Sequence, residues 1–465
     1  MKNNSYRTDA MHRDDLPNCT DAIHPPWTRG VSGRNDAMHR VATTAQNRRA
    51  FLTRGLAATA GFGLFTAFGN DLFAAVQKQR RYSAPADLKI TDVRCAYIRN
   101  GHSLFVKVYS NQGIIGHGEA VDATPGTYHL VKIMGERING QNPLNMHRIF
   151  EDVRRRGFFE GAQGGMYISV LTAIETALWD LAGKALEVPV WQLLGGKFRD
   201  NIRVYCDTAS SREKPEIMGR RAKEVVDEHK FTAVKFDIDD AQDPNKYDAY
   251  NWTVGAAELE RMVAQITAVR EAVGPHVDIC VDMHGRFDTT SGKRVAKAME
   301  PLNLMWLEEP IPAENAEAYK YITQSTSTPI CAGENLYLAY GFRPLLEIGA
   351  VDIIMPDLQK AGGLGEAQRI ANLANVYYTP FAPHMVASFL GAMASAHVCA
   401  SVPNFLILEW QIYFHTNPMF KEIVHYDGEM IVDGYIPLSN KPGIGVEINE
   451  EGLKKYADKD VPFFT

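Results

Sequence analysis

DICVDMHGRFDTTSGKRVAKAMEPLNLMWLEEPIPAENAEAYKYITQSTSTPICAGEN, residues 278–335, contains three short apolar runs, and each closes on an acid: Asp282, Glu308 and Glu334. The acids stand 26 residues apart. That is about the length of one strand, one helix and two loops, so the three occupy equivalent places on successive β/α units. In a parallel β/α barrel such places converge on the carboxyl-terminal mouth, where active sites sit. Three carboxylates meeting there repel one another unless a cation holds them, and oxygen-only ligation suits Mg²⁺.

The spacing continues outward. Asp357, His384 and Glu409 follow at intervals of 23, 27 and 25 residues, and Lys235 precedes Asp282 by 47. The longer gap holds a polar insertion, DAQDPNKYDAYNWT, about 240–253, which reads as a long loop over the mouth. Eight strand-like runs lie between residues 203 and 410: RVYCDTAS, TAVKFDID, DICVDMH, LMWLEEP, TPICAGEN, DIIMPDL, YYTPFAPH and FLILEW. Amphipathic helices such as 256–273 and 364–376 separate them. This alternation predicts a modified (β/α) barrel over 201–415. Upstream, KITDVRCAYIRN, SLFVKVYSNQG and IIGHGEAV are short β-rich runs divided by turn signals, and predict an antiparallel three-stranded meander. Helical stretches at about 126–160 and 166–186 follow; in the second, Ile168, Leu171, Ile174, Leu178 and Leu181 fall on one face. Residues 88–200 therefore read as an α+β domain. The Gly/Pro-rich segment 416–465 reads as a return onto it.

At 465 residues the chain is long enough for two domains with substantial cores, and 45% apolar with 22% charged residues is ordinary for a globular protein. A formal charge of −6 gives no basic footprint for nucleic acid. No GxGxxG or P-loop is present, and the six cysteines show no metal or disulfide spacing. Residues 1–80 are set apart as a leader. NRRAFLT (47–53) precedes a stretch uncharged from Gly55 to Asn70, too short for a comfortable span but suited to a signal peptide. Arg48-Arg49 resembles a twin-arginine export signal, which predicts a periplasmic protein with no stable membrane span after its removal. The start at Met1 or Met38 and the cleavage site stay open.

IETALWDLAGKALEVPVWQLLGG (174–196), VDMHG, WLEEP, AGEN, MPDLQKAGG and APH followed by a late Glu resemble the enolase superfamily, in its mandelate racemase group. The resemblance covers nearly all of 88–460. It implies an α+β capping domain over the barrel, Asp282, Glu308 and Glu334 as Mg²⁺ ligands, His384 as general base oriented by Asp357, and Glu409 hydrogen-bonded to a substrate carboxylate oxygen. It also implies a small carboxylate substrate and an even-numbered homo-oligomer. Specificity is expected from the loops at 99–103 and 122–127 and from the insertion. A proton α to a carboxylate is weakly acidic, and its removal leaves an enediolate that a divalent cation and a facing donor stabilise.

His284 follows Asp282 by two residues, so an extended segment points both side chains to the mouth. In the acid-sugar dehydratases that this D-x-H pattern resembles, the histidine is the acid that protonates the departing 3-hydroxyl. The combination implies β-elimination of water to a 2-keto-3-deoxy acid. One departure is Lys235-x-Asp237, where racemases of the group carry Lys-x-Lys. Lys235 either contacts the substrate carboxylate or serves as the alternative base; Asp237 is a substrate contact or an inward-pointing barrel residue; Arg286 is a candidate contact for a substrate carboxylate or hydroxyl. Glu309 and Pro310 read as shaping the strand end, and Lys360 as a surface loop residue. The rivals to a dehydratase are a racemase or epimerase of a 2-hydroxy acid on the same fold, and a non-catalytic sugar-acid binding protein.

Overall fold

A computed structural model describes residues 87–99, 103–208, 213–243, 246 and 250–465, with the side chain of His415 left aside. The expected export signal, the tip of the 99–103 loop and part of the 240–253 insertion lie outside the described residues. Among the described residues no helix is long and apolar enough to cross a membrane, and all of them fall within one compact unit.

The meander forms as the turn signals predict: β1 (Ile90–Ile98), β2 (Ser103–Ser110) and β3 (Ile115–Ala120) pair antiparallel in that order. Behind them run α1 (Thr127–Ile138), α2 (Met146–Arg156) and α3 (Gly165–Leu186). The predicted stripe of α3 is buried, and so is nearly every other face of its middle turns, because the helix lies between sheet and barrel. Gly116 and Gly118 permit that approach. A Cβ at Gly118 would stand 2.0 Å from the Ala173 carbonyl oxygen, and one at Gly116 equally close to that of Ala177.

The barrel follows as β4 (Asn201–Asp207), α4 (Pro215–His229), β5 (Ala233–Asp237), α5 (Ala256–Val273), β6 (Asp278–Asp282), α6 (Thr289–Met299), β7 (Trp306–Glu308), α7 (Ala316–Thr323), β8 (Ile330–Ala332), α8 (Leu338–Glu347), β9 (Ile353–Ile354), α9 (Leu364–Val376), α10 (Phe389–Ser401) and β10 (Leu408–Gln411). The strands pair in parallel, in the order β10-β4-β5-β6-β7-β8-β9. The run YYTPFAPH forms no regular strand. It closes the ring through single bridges, Ile354 to Phe381, Asp357 to His384 and Phe381 to Phe405. Two prolines, Pro380 and Pro383, deny this run the amide hydrogens of a continuous ladder.

The inward residues form two tiers. Tyr205, Ala233, Cys280, Trp306, Cys331, Ile353, Met355, Ala382 and Ile407 pack together as an apolar plug. Strand alternation carries the chain two residues further to a polar tier nearer the mouth: Ala233 to Lys235, Cys280 to Asp282, Trp306 to Glu308, Met355 to Asp357, Ala382 to His384 and Ile407 to Glu409. The chain then returns across both halves. β11 (Tyr435–Pro437) pairs with β4, while β12 (Glu447–Ile448) and α11 (Glu450–Tyr456) meet the meander through His117 and Lys107 and α3 through Lys184.

Candidate active site

Asp282, Glu308 and Glu334 each place a carboxylate oxygen within 4.8 Å of the others, and all three are buried. Asp282 and Glu308 are ladder partners on β6 and β7. Glu334 breaks the two-residue alternation, following Cys331 by three. Gly333 takes φ +136°, a conformation that L side chains rarely adopt, and so turns Glu334 inward. Burial, with Asp282 and Glu334 beside it, holds the Glu308 carboxyl well above its ordinary range, Lys235 only partly offsetting this. Three crowded, buried oxygen donors fit a hard divalent cation.

The chain already turns its own cations toward this cluster. Lys235 Nζ lies 3.2 Å from Asp282, 3.3 Å from Glu308 and 2.8 Å from Glu409. Burial works against its charge, but Glu308, Glu409 and Asp282 hold its pKa well above that of a free lysine. The same contacts act on Glu409: burial would raise it, and Lys235 and His384 more than offset that, so it is held below the usual range as a carboxylate. Of this pair the ammonium is therefore the donor.

The two histidines are built alike. His384 Nδ1 donates to Asp357 Oδ2 at 2.7 Å, leaving Nε2 at 3.1 Å from Glu334. His284 Nδ1 donates to Asp239 Oδ1 at 2.8 Å, leaving Nε2 at 3.7 Å from Asp282. Each ring thus has one nitrogen fixed by an aspartate and the other facing the ligand cluster. They follow the third and the seventh of eight barrel positions and so stand across the mouth from each other. Burial opposes charge on both rings. The surrounding carboxylates win, pushing His384 to about 10 through Glu409, Glu334 and Asp357, and His284 to about 11 through Asp282 and Asp239.

His284 reaches this place by a different route from the extended segment expected. Its φ is +46° and its amide donates to Asp282 Oδ1 at 2.8 Å, so the chain turns sharply just after the ligand. Asp237 is the ladder partner of Asp282, and lies within 4.8 Å of Asp282 and His284 as a second acidic group. Burial first, then Asp207 and Asp282, push its carboxyl up to about 8. Arg286 is half-exposed and pairs with Asp239, beside a cavity of about 200 Å³ lined in part by Lys246, Tyr250, Trp252 and Phe287.

Lys360 requires a correction. It is buried, not a surface residue, because its Nζ meets Asp122 Oδ2 at 2.6 Å across the capping domain boundary and lies 3.5 Å from Asn335 Oδ1. Asn335 in turn donates to Glu334 and Glu309, each at 3.0 Å. Glu309, at φ +34°, accepts from the Gly333 amide and so braces the turn that aims Glu334. Asp239 was absent from the sequence reading. The signal was there in FDID, where Asp239 follows Asp237 with the same two-residue period that marks the inward tier.

Comparison with known proteins agrees with this geometry. Residues 75–195 match the family described as mandelate racemase / muconate lactonizing enzyme, N-terminal domain, and residues 218–452 match the enolase C-terminal domain-like family. The chain is 39% identical over 372 residues to D-xylonate dehydratase of Haloferax volcanii, covering 80% of this chain and 89% of that protein. It is 33% identical over 366 residues to D-galactonate dehydratase of Variovorax paradoxus, covering 77% and 92%. A crystal structure of a mandelate racemase/muconate lactonizing enzyme-like protein from Rubrobacter xylanophilus superposes with a TM-score of 0.78 at 45% identity, over 82% of this chain and all of that one.

Proposed function

The chain belongs to the enolase superfamily, in its mandelate racemase/muconate lactonizing enzyme branch, and from that premise we propose that it is a Mg²⁺-dependent sugar-acid dehydratase. The observation that carries this reading is the pair of aspartate-fixed histidines, His384–Asp357 and His284–Asp239, flanking one three-carboxylate cluster. Asp282, Glu308 and Glu334 would hold the cation. When bound, it would supply charge that stabilises the enediolate oxygens and offsets the negative charge of these carboxylates.

His384 Nε2, once free of its proton, takes the proton from C2 of the sugar acid, and Asp357 stabilises the imidazolium that forms. The C–H electron pair moves into the enediolate, toward which Lys235 presents a fixed ammonium. On the far side His284 Nε2 gives its proton to the 3-hydroxyl as the C3–O bond breaks. Water leaves, and the enol tautomerises to a 2-keto-3-deoxy acid. In this reading His384 is the base and Lys235 is not, because Lys235 is ion-paired at 2.8 Å with Glu409, which is not a metal ligand, whereas His384 has Asp357 to hold the charge it gains. A racemase needs a second base facing the substrate, and Asp237 stands where that lysine would be.

The names of the relatives support an aldonate as substrate, xylonate or galactonate being the first to test. Incubation with a panel of aldonates and aldarates, with Mg²⁺ and after chelation, should give a 2-keto acid from at least one aldonate only when the metal is present. Ligand-induced thermal stabilisation without turnover on any acid would instead mark a binding protein. The export reading rests on Arg48-Arg49 and the apolar stretch after it. Arg48→Lys with Arg49→Lys should retain the protein in the cytoplasm.

A further inference from the structure

Two glutamates of the capping domain reach barrel helices, each at the helix that follows one half of the His384–Asp357 dyad. Glu175, on α3, accepts from the amides of Leu364 at 2.8 Å and Gly365 at 3.0 Å, the first residues of α9. The residue before that helix is Gly363, which has no side chain to cap it, so Glu175 supplies the missing acceptor from another domain. Glu119, on β3, accepts from the Ser388 amide at 2.9 Å, the Ser388 hydroxyl at 2.5 Å and the Gly391 amide at 3.2 Å, at the start of α10. α9 begins seven residues after Asp357, and α10 begins five residues after His384.

Gln359 joins the Glu119 anchor to the dyad. Its side chain donates to the Gly391 carbonyl at 3.2 Å, and its amide donates to Asp357 Oδ1 at 2.7 Å. Asp357 Oδ2 is left for His384. A continuous line of hydrogen bonds thus runs Glu119, Gly391, Gln359, Asp357, His384, and every side chain in it is buried. Burying a carboxylate away from any cation is costly unless its acceptors are filled, as they are here. The Lys107–Glu450 contact also fastens the capping domain, but it ends on the C-terminal helix, away from the dyad.

We propose that Glu119 and Glu175 are positioning residues: through the starts of α10 and α9 they make the capping domain set the geometry of the Asp357–His384 pair. The proposal rests on the reading of His384 as the base. Neither glutamate touches β6, β7 or β8, so the effect is confined to proton abstraction and spares metal binding.

The test compares Glu119→Gln and Glu175→Gln with the control Glu450→Gln in the Mg²⁺-loaded full chain. Both site variants should lose about 10- to 100-fold in kcat, as a base displaced by an ångström does, with KM and the Mg²⁺ dissociation constant within about twofold of wild type. The control should keep its kcat. Ser388→Ala should reproduce part of the Glu119 effect and be non-additive with it, since both act through one contact; it also serves if Glu119→Gln does not fold. Independently of turnover, the downfield Nδ1–H resonance of His384, assigned by its loss in His384→Asn, should shift or broaden in the site variants alone. Variants that melt earlier but keep wild-type kcat and an unmoved resonance would overturn the proposal. If wild type dehydrates no sugar acid, the functional reading fails while the resonance still tests the positioning.

Discussion

His284 and His384 should fail differently when removed. His384→Asn takes away the proposed base and should reduce both C2-proton exchange and dehydration by about 10²- to 10⁴-fold, the usual range for a general base. His284→Asn should leave exchange of the C2 proton with solvent measurable while 2-keto acid formation falls, because only departure of the hydroxyl needs its proton. Proton NMR in deuterated water reads both on one sample. Loss of exchange in His284→Asn would reverse the assignment. Asp282, Glu308, Glu334, Asp357, His384 and Glu409 were legible in the sequence because barrel periodicity repeats along the chain. Lys360 was not, and of Asp239 only the inward position was, in the period of FDID; their roles are set by partners distant in sequence, Asp122 for Lys360 and His284 for Asp239.

The elements were legible to different depths. Helices 256–273 and 364–376 match the predicted bounds, since amphipathic period and flanking glycines mark helix ends locally. The barrel strands other than β4 are two to five residues long, shorter than the apolar runs that announced them, because barrel closure decides how much of each run pairs. The run through His384 has no regular strand at all, yet its bridge from Asp357 to His384 is what sets the dyad side by side. The close packing of α3 on the meander makes a sharp prediction. Gly118→Ala should destabilise the protein by about 1–3 kcal/mol or more through overpacking, read as a lower melting temperature, since its Cβ would meet the Ala173 carbonyl.

Across the whole molecule, the fold depends on charges buried where its parts meet. Burial raises Glu119 and Glu175 to about 7, their hydrogen bonds to Ser388, Ser103, Trp179 and the helix amides offsetting only part of the cost, with Glu366 adding repulsion at Glu175. A carboxyl whose folded pKa exceeds its unfolded value contributes stability that is fully present below the unfolded value, near 4.5, and lost as pH rises through about 7. Wild type should therefore lose stability over that window relative to the double Gln variant, by at most a few kcal/mol per group, as measured by denaturant titration at pH 5 and pH 7.5. The carboxylate cluster makes the opposite demand, for a cation. Chelation should lower the melting temperature, and Mg²⁺ at a hundredfold excess over its dissociation constant should restore about 2.7 kcal/mol.

The most direct test of the dehydratase reading is where solvent deuterium goes. With Mg²⁺ and xylonate or galactonate in deuterated water, the expected product is a 2-keto-3-deoxy acid carrying deuterium at C3, where the enol is reprotonated after the hydroxyl has left. Recovery of the sugar acid with deuterium at C2, retained or inverted, and no keto acid would contradict it.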